Sequence, residues 1–376
     1  MAYVLSRLLV LVGAGLASAG RASAIPLYDL PIEKPTSALG GIVDALTSWD
    51  GRWYYEIVRY GYPSSVPANI TYEQTEARAA FFPIYPWLIR AADTVLPGSG
   101  VTAGLIVNAI LGVIVVYLVG RVTLSWFNDA AVARRAKILA AFFPGSYVLS
   151  ITYSEATLLV AVLAGLLFLH RRQWLAAGLA SLAATACRPN GVAMVAACAV
   201  AALLAIRTRR EWRSLIAPLL APIGFIAVQL YIGGVANERA VWFRVQREAW
   251  DEGTSFGWTA LKQIGKFLAH PLSSPTNVVT VASLISLVIG CVALARVRPP
   301  AEAIAYSAAV IVLMLMPAAV TARPRFVYTA IPLVIAVAKA WPTRWSRETE
   351  SYVYALFGAG LVSLMTLYGL YAVVIP

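Results

Sequence analysis

The string Ser48-Trp49-Asp50-Gly51-Arg52-Trp53-Tyr54-Tyr55-Glu56-Ile57-Val58-Arg59-Tyr60-Gly61-Tyr62 sets a carboxylate among aromatic rings. A helix over 41 to 60 would put Asp50, Trp53, Tyr54 and Ile57 on one face, because residues three and four apart share a side. A carboxylate so placed can take a proton from a bound hydroxyl as a general base. It can equally cap the helix that follows, the commoner use of Asp before a helical pattern. Both readings stand at this level.

Four further strings carry polar chemistry in apolar surroundings. Ala80-Phe81-Phe82-Pro83-Ile84-Tyr85-Pro86-Trp87 holds two prolines in an aromatic run, so its backbone is expected extended or turned, as a membrane-interface anchor or as a substrate wall. Tyr153-Ser154-Glu155 opens a short apolar run, where Glu155 either complements a helix dipole or supplies a second polar group. Cys187-Arg188-Pro189-Asn190-Gly191 and Thr321-Ala322-Arg323-Pro324-Arg325-Phe326 each place Arg beside a Pro that breaks a span. Such arginines either snorkel to headgroups or meet an anion, a lipid-linked phosphate or a carboxylate.

The elements that must hold these residues are membrane helices. Of the 376 residues 60% are hydrophobic and 13% charged, with a mean hydropathy of +0.73; soluble domains have roughly 45–50% and 25%. Eleven apolar stretches are candidate spans: 4 to 20, 100 to 120, 136 to 151, 155 to 170, 173 to 187, 190 to 206, 214 to 234, 277 to 296, 301 to 320, 324 to 341 and 351 to 375. Several fall short of the ~20 residues a crossing needs, so broken helices beside a wet cavity are expected. The whole chain, 1–376, reads as one integral membrane domain with two long outer segments, 21–99, rich in Trp, Tyr and Phe, and 235–276, rich in Trp and Phe. A signal peptide is a second reading of the first stretch; a retained span is the expectation.

Charge tests the threading. With the N-terminus inside, the inner segments hold sixteen basic and five acidic residues, net +11 of the total +12; the outer ones hold fourteen and thirteen, net +1. That asymmetry follows the positive-inside rule and accounts for the basic character without nucleic acid. Three scattered cysteines and two histidines support neither a disulfide framework nor a metal cluster, and structural Cys in apolar helices is expected.

Taken in order, Trp49-Asp50 with Tyr60-Gly61-Tyr62, then Phe81-Phe82-Pro83-Ile84-Tyr85-Pro86, Tyr153-Ser154-Glu155 and Arg188-Pro189-Asn190-Gly191 resemble the second mannosyltransferase of the glycosylphosphatidylinositol pathway and its bacterial relatives. The resemblance covers roughly residues 40 to 195; Pro189 stands where that family more often has Ser or a similar residue. It implies the class C glycosyltransferase (GT-C) architecture: an all-α polytopic bundle of about 10–11 transmembrane helices with a large first extracytoplasmic loop. It implies an inverting transfer of mannose from a polyprenyl-phosphate donor to a hydroxyl on a glycolipid or glycan, at the extracytoplasmic or lumenal face. No cofactor or divalent metal is implied beyond the lipid-linked sugar as co-substrate, and an accessory membrane subunit is a possible partner. Asp50 would then be the catalytic base and Arg188, Arg323 and Arg325 the donor-phosphate ligands. Trp49, Trp53, Tyr54, Phe82, Tyr85, Tyr153, Glu155 and Asn190 would contact substrate. A transporter or flippase of lipid-linked sugars and a non-catalytic subunit are the competing classes. Acidic residues clustered in outer segments rather than buried mid-span favour the enzyme.

Overall fold

Prolines divide the apolar sequence into helices of two lengths. The computed structural model describes residues 1–24, 37–318, 324–342 and 345–371, and among these it is all helical apart from one isolated bridge between Thr254 and Pro317. Six apolar helices are long enough to cross a bilayer: Ala2–Ser23, Gly100–Phe127, Pro189–Arg209, Trp212–Val235, Pro275–Val297 and Arg347–Gly369. Four are shorter: Glu155–His170, Trp174–Cys187, Ala301–Leu315 and Ile331–Ala340. The chain is an integral multi-pass membrane protein.

The stretch 136 to 151, read from sequence as one span, divides in two. A helix Ala130–Phe142 ends where Pro144 removes a donor, and a tight 3-10 turn Pro144–Leu149 follows. The first helix fastens this break. Arg7 donates to the carbonyls of Ala141 and Ser146 at 2.9 and 2.7 Å and to the Ser146 and Ser150 hydroxyls, so it satisfies helix-terminal carbonyls that lack a partner within the helix.

At ~1.5 Å per residue the short helices reach only about 15 to 24 Å, against a hydrocarbon core of ~30 Å. Their ends meet inside the molecule. Trp174–Cys187 stops at Arg188, which Pro189 forces to an extended backbone, φ −159°. Ala301–Leu315 stops beside Met316 and Pro317, and the six-residue helix Pro324–Thr329 begins nearby. Gly191 lets the 3-10 turn after Arg188 lie on the preceding helix, since a Cβ there would collide with the Ala184 carbonyl.

The two long segments expected from sequence to lie outside are helical as well. The first holds Ala38–Leu46, Asp50–Tyr60, a 3-10 turn Thr75–Ala80 and Ile84–Asp93; the second holds Val241–Trp250 and Trp258–Ala269. The single helix expected over 41 to 60 is broken at 47 to 49. Phe81 is extended, φ −105° and ψ 141°, and Pro86 sits in the first turn of Ile84–Asp93, where its missing N–H costs nothing. Trp242 donates its indole N–H to the Ala80 carbonyl at 2.9 Å, which seats the second outer segment on the first.

Candidate active site

Asp50 is the first residue of its helix and stands next to a strained one. Trp49 has φ 57° and ψ −124°, a conformation costly for a bulky side chain by about 1–3 kcal/mol. The last helix holds it there. The Trp49 indole donates to the Tyr368 carbonyl at 3.1 Å, and the Tyr368 hydroxyl donates to the Ser48 carbonyl at 2.7 Å. Gly51 allows the helix start to close on Thr152, whose hydroxyl would clash with a Cβ. The Asp50 amide donates to the Tyr153 hydroxyl at 3.2 Å, and among the described residues no side chain caps this helix. The capping reading of Asp50 therefore loses its main support: its carboxylate is turned to a guanidinium.

That guanidinium is Arg325, whose Nη1 lies 2.7 Å from Asp50 Oδ2 and 3.7 Å from Glu155 Oε1. Arg188 Nη1 takes Glu155 Oε2 at 2.9 Å and donates to Ser154 Oγ at 3.1 Å. The result is a chain of alternating charge, Asp50, Arg325, Glu155, Arg188, two of each sign. All four are buried; Glu155 is fully enclosed, and Asp50 and Arg188 keep only 4% and 9% of their surface. Taking a charge out of water costs several kcal/mol even after relaxation, so each member is tolerable only with its partners. The Tyr153 ring lies beneath Arg325, 5.1 Å from its Cζ, and the amide of Asn108 holds the carbonyls of Ile151 and Tyr153. Tyr54 shares a 2.6 Å hydrogen bond with Ser154. Burial pushes its phenol up to about 12, so it stays protonated at neutral pH.

This network forms the floor of a cavity of about 380 Å³, inside the range of small-molecule sites. Asp50, Tyr54, Arg188, Asn190 and Arg325 line it together with Phe81 and Phe82. Leu313, Met316, Pro317 and Phe326 form an apolar side, and Trp242, Gln246, Trp250 and Glu252 come from the second outer segment. Asn190 gives its amide to Thr329 Oγ1 at 3.4 Å, while its buried Oδ1 has no hydrogen-bond partner among the described residues. An orphaned acceptor at a cavity wall is a place for a ligand donor.

The sequence-derived candidates thus separate by position. Asp50, Tyr54, Phe82, Arg188, Asn190 and Arg325 reach the cavity; Trp49, Trp53, Tyr85, Tyr153 and Glu155 are not among its lining residues. Trp53 is buried with Phe81 and Tyr72, and Tyr85 packs edge-on to Tyr54. Tyr153 and Glu155 orient Asp50 and the arginines from behind. Arg323 lies outside the described residues. The wall residues Gln246, Trp250 and Glu252 were not singled out as site residues from sequence; only the aromatic richness of 235–276 pointed toward them. Among the described residues no three of His, Cys, Asp and Glu converge in a way that could hold a metal ion, and Cys187 and Cys198 are buried free thiols.

No family model and no curated protein matches the chain. Its fold is similar to that of ArnT from Cupriavidus metallidurans, whose crystal structure holds bound undecaprenyl phosphate. The TM-score is 0.52 at 14% identity, over 84% of this chain and 71% of that one. The protein therefore shares the all-helical membrane fold of that structure. The likeness extends to the fold and does not reach the narrower mannosyltransferase family that the motifs resemble.

Proposed function

We propose that the protein is an inverting membrane glycosyltransferase that moves a sugar, mannose by the motif resemblance, from a polyprenyl-phosphate donor to a hydroxyl at the extracytoplasmic face. The observation that carries this reading is the convergence of one carboxylate and two guanidiniums on a single cavity with an apolar side, within a fold similar to that of ArnT. The acceptor oxygen attacks the anomeric carbon as the bond from that carbon to the phosphate oxygen breaks. Asp50 accepts the hydroxyl proton, and the electron pair leaves on the lipid phosphate, facing Arg188 and Arg325. The apolar side at Leu313, Met316 and Phe326 suits the first isoprene units.

Asp50 Oδ2 is held by Arg325 Nη1 at 2.7 Å. A donor phosphate reaching Arg325 competes for the same Nη1 and releases the carboxylate to serve as a base, so donor should bind before acceptor. The experiment is incubation of purified protein with polyprenyl-phosphate mannose and glycolipid or glycoside acceptors, following labelled product. Transfer that is lost in Asp50→Asn supports the reading. Movement of intact lipid-linked sugar across liposomes without transfer would replace it with a flippase. The outer placement rests on the net charges of +11 and +1. On a Cys-free background, Cys at Ser64 or Asp251 should be labelled from outside and Cys at Asn128 or Arg209 should not; the reverse pattern would invert the site.

A further inference from the structure

Glu252 is the carboxylate left unpaired, among the described residues, in a cavity whose other charged lining residues, Asp50, Arg188 and Arg325, are in ion pairs. It is half-buried and lines the cavity with Gln246 and Trp250, and its side chain has no ion pair or hydrogen bond among the described residues. Asp50, Glu155, Arg188 and Arg325 neutralise one another on the floor, so none of those cations is left over for it. Its position is nevertheless fixed. Its amide donates to the Gln246 carbonyl at 3.2 Å, ahead of the bridge in which the Ser255 amide donates to Met316 and the Ala318 amide to Gly253, each at 2.8 Å. Trp250 is fixed too, packed edge-on against Tyr72 and Phe81 at 5.4 and 5.7 Å between centroids. An exposed, solvated Glu needs no such scaffold, and the neighbouring Asp251 shows the contrast: it is exposed in a left-handed turn and lies off the cavity.

We propose that Glu252, Gln246 and Trp250 form the acceptor subsite, a wall that binds a neutral polyhydroxylated ring such as a sugar. A carboxylate accepts hydrogen bonds from two adjacent hydroxyls, a Gln amide supplies one donor and one acceptor, and an indole covers the apolar face of the ring. This assignment rests on the glycosyltransferase reading and gives it the part of the cavity lining that holds the acceptor. Glu252 is here a substrate-contact residue that sets specificity, and Asp50 remains the base.

The test uses the full-length protein in lipid nanodiscs, with radiolabelled octyl α-mannoside as the sugar probe and hexaethylene glycol monooctyl ether, which lacks adjacent hydroxyls, as its control. Undecaprenyl phosphate binding is measured in parallel. Wild type should prefer the mannoside over the ether. Glu252→Gln should lower that preference about 10-fold, the loss of one charged hydrogen bond, with undecaprenyl phosphate affinity unchanged; Trp250→Ala should lower it and Trp250→Phe largely keep it. A preference that survives Glu252→Gln, or that falls only in proportion to undecaprenyl phosphate affinity, would overturn the subsite. If Glu252→Gln does not fold, Glu252→Asp, which keeps the charge and shortens its reach, decides by the same criterion. Wild-type protein that prefers the mannoside but does not bind undecaprenyl phosphate would remove the glycosyltransferase reading and leave the sugar wall standing.

Discussion

Two ion-pair clusters in this chain are built on opposite terms. On the outer helix Val241–Trp250, Arg244 holds Glu238 at 2.6 Å and Glu248 at 3.0 Å and donates to the carbonyls of Val66 and Pro67, while Glu248 accepts from the Ile70 amide at 3.0 Å. Its members are partly exposed, and their polar atoms are satisfied by one another and by backbone. The floor cluster is buried and charge-balanced, yet among the described residues Glu155 has both oxygens in ion pairs without a well-formed hydrogen bond, and Arg188 Nε and Asn190 Oδ1 find no hydrogen-bond partner. The outer cluster ties two segments together. The floor cluster bears a desolvation cost with incomplete compensation, which is the pattern of a site prepared for charge that arrives with a ligand.

The largest effect that separates the two is at Asp50. Asp50→Asn keeps the size and removes the proton acceptor, so turnover should fall at least ~10²-fold while the protein folds and binds donor as well as wild type, or better, because the competitor for Arg325 is weakened. Normal turnover would make the floor a structural cluster like the outer one and move the search for the base to Glu252.

Next comes Arg325. Arg325→Gln leaves Asp50 buried without its partner, which should destabilise the protein by about 3–5 kcal/mol and weaken undecaprenyl phosphate binding about 10- to 100-fold. Asp50→Asn combined with Arg325→Gln should recover much of the stability and none of the activity. Full additivity of the two stability losses would mean that the pair is not coupled. Arg188→Gln should follow the same direction, read as donor affinity.

The helices and the floor were legible in the sequence for separable reasons. A membrane span needs a long apolar run, and Pro beside Arg within such a run is rare, so the breaks at Arg188 and Arg325 stand out from residue types and order alone. What sequence cannot resolve is which ring of an aromatic segment faces inward. Trp53 and Phe82 belong to the same aromatic-rich outer segment, yet Trp53 is enclosed beside the cavity and Phe82 lines it. The break before Asp50 is hidden because Trp49 at positive φ has no compositional signature; the last helix, more than 300 residues away, imposes it. Glu252 does not stand out beside Asp251 because one turn residue decides which of two adjacent acids faces the cavity.

At the Arg244 cluster the effects should be small and sensitive to salt. Arg244→Gln should cost about 1 kcal/mol, as for partly exposed pairs, and reduce turnover less than ~10-fold, because Trp242 still seats the helix on Ala80. The wild-type advantage should shrink in high salt, where the Asp50 and Arg325 effects should persist.

The smallest predicted effect is a pH dependence confined to that outer cluster. The Arg244 hydrogen bond, reinforced by its charge, holds the Glu238 carboxyl below the ordinary value of 4.5, against a smaller opposing effect of burial. A carboxyl whose folded value is depressed adds stability that is fully present above its unfolded value and is lost as pH falls through the folded one. The thermal-stability gap between wild type and Arg244→Gln should therefore be constant from pH 7 down to about 5 and should narrow as pH falls below 4.5. With Glu238 partly exposed, solvent screening limits the change to a few tenths of a kcal/mol. A gap that instead stays constant as pH falls through and below 4.5 would mean that Arg244 acts through the Val66 and Pro67 carbonyls alone, and the Arg244 cluster would be a backbone clasp without an electrostatic part.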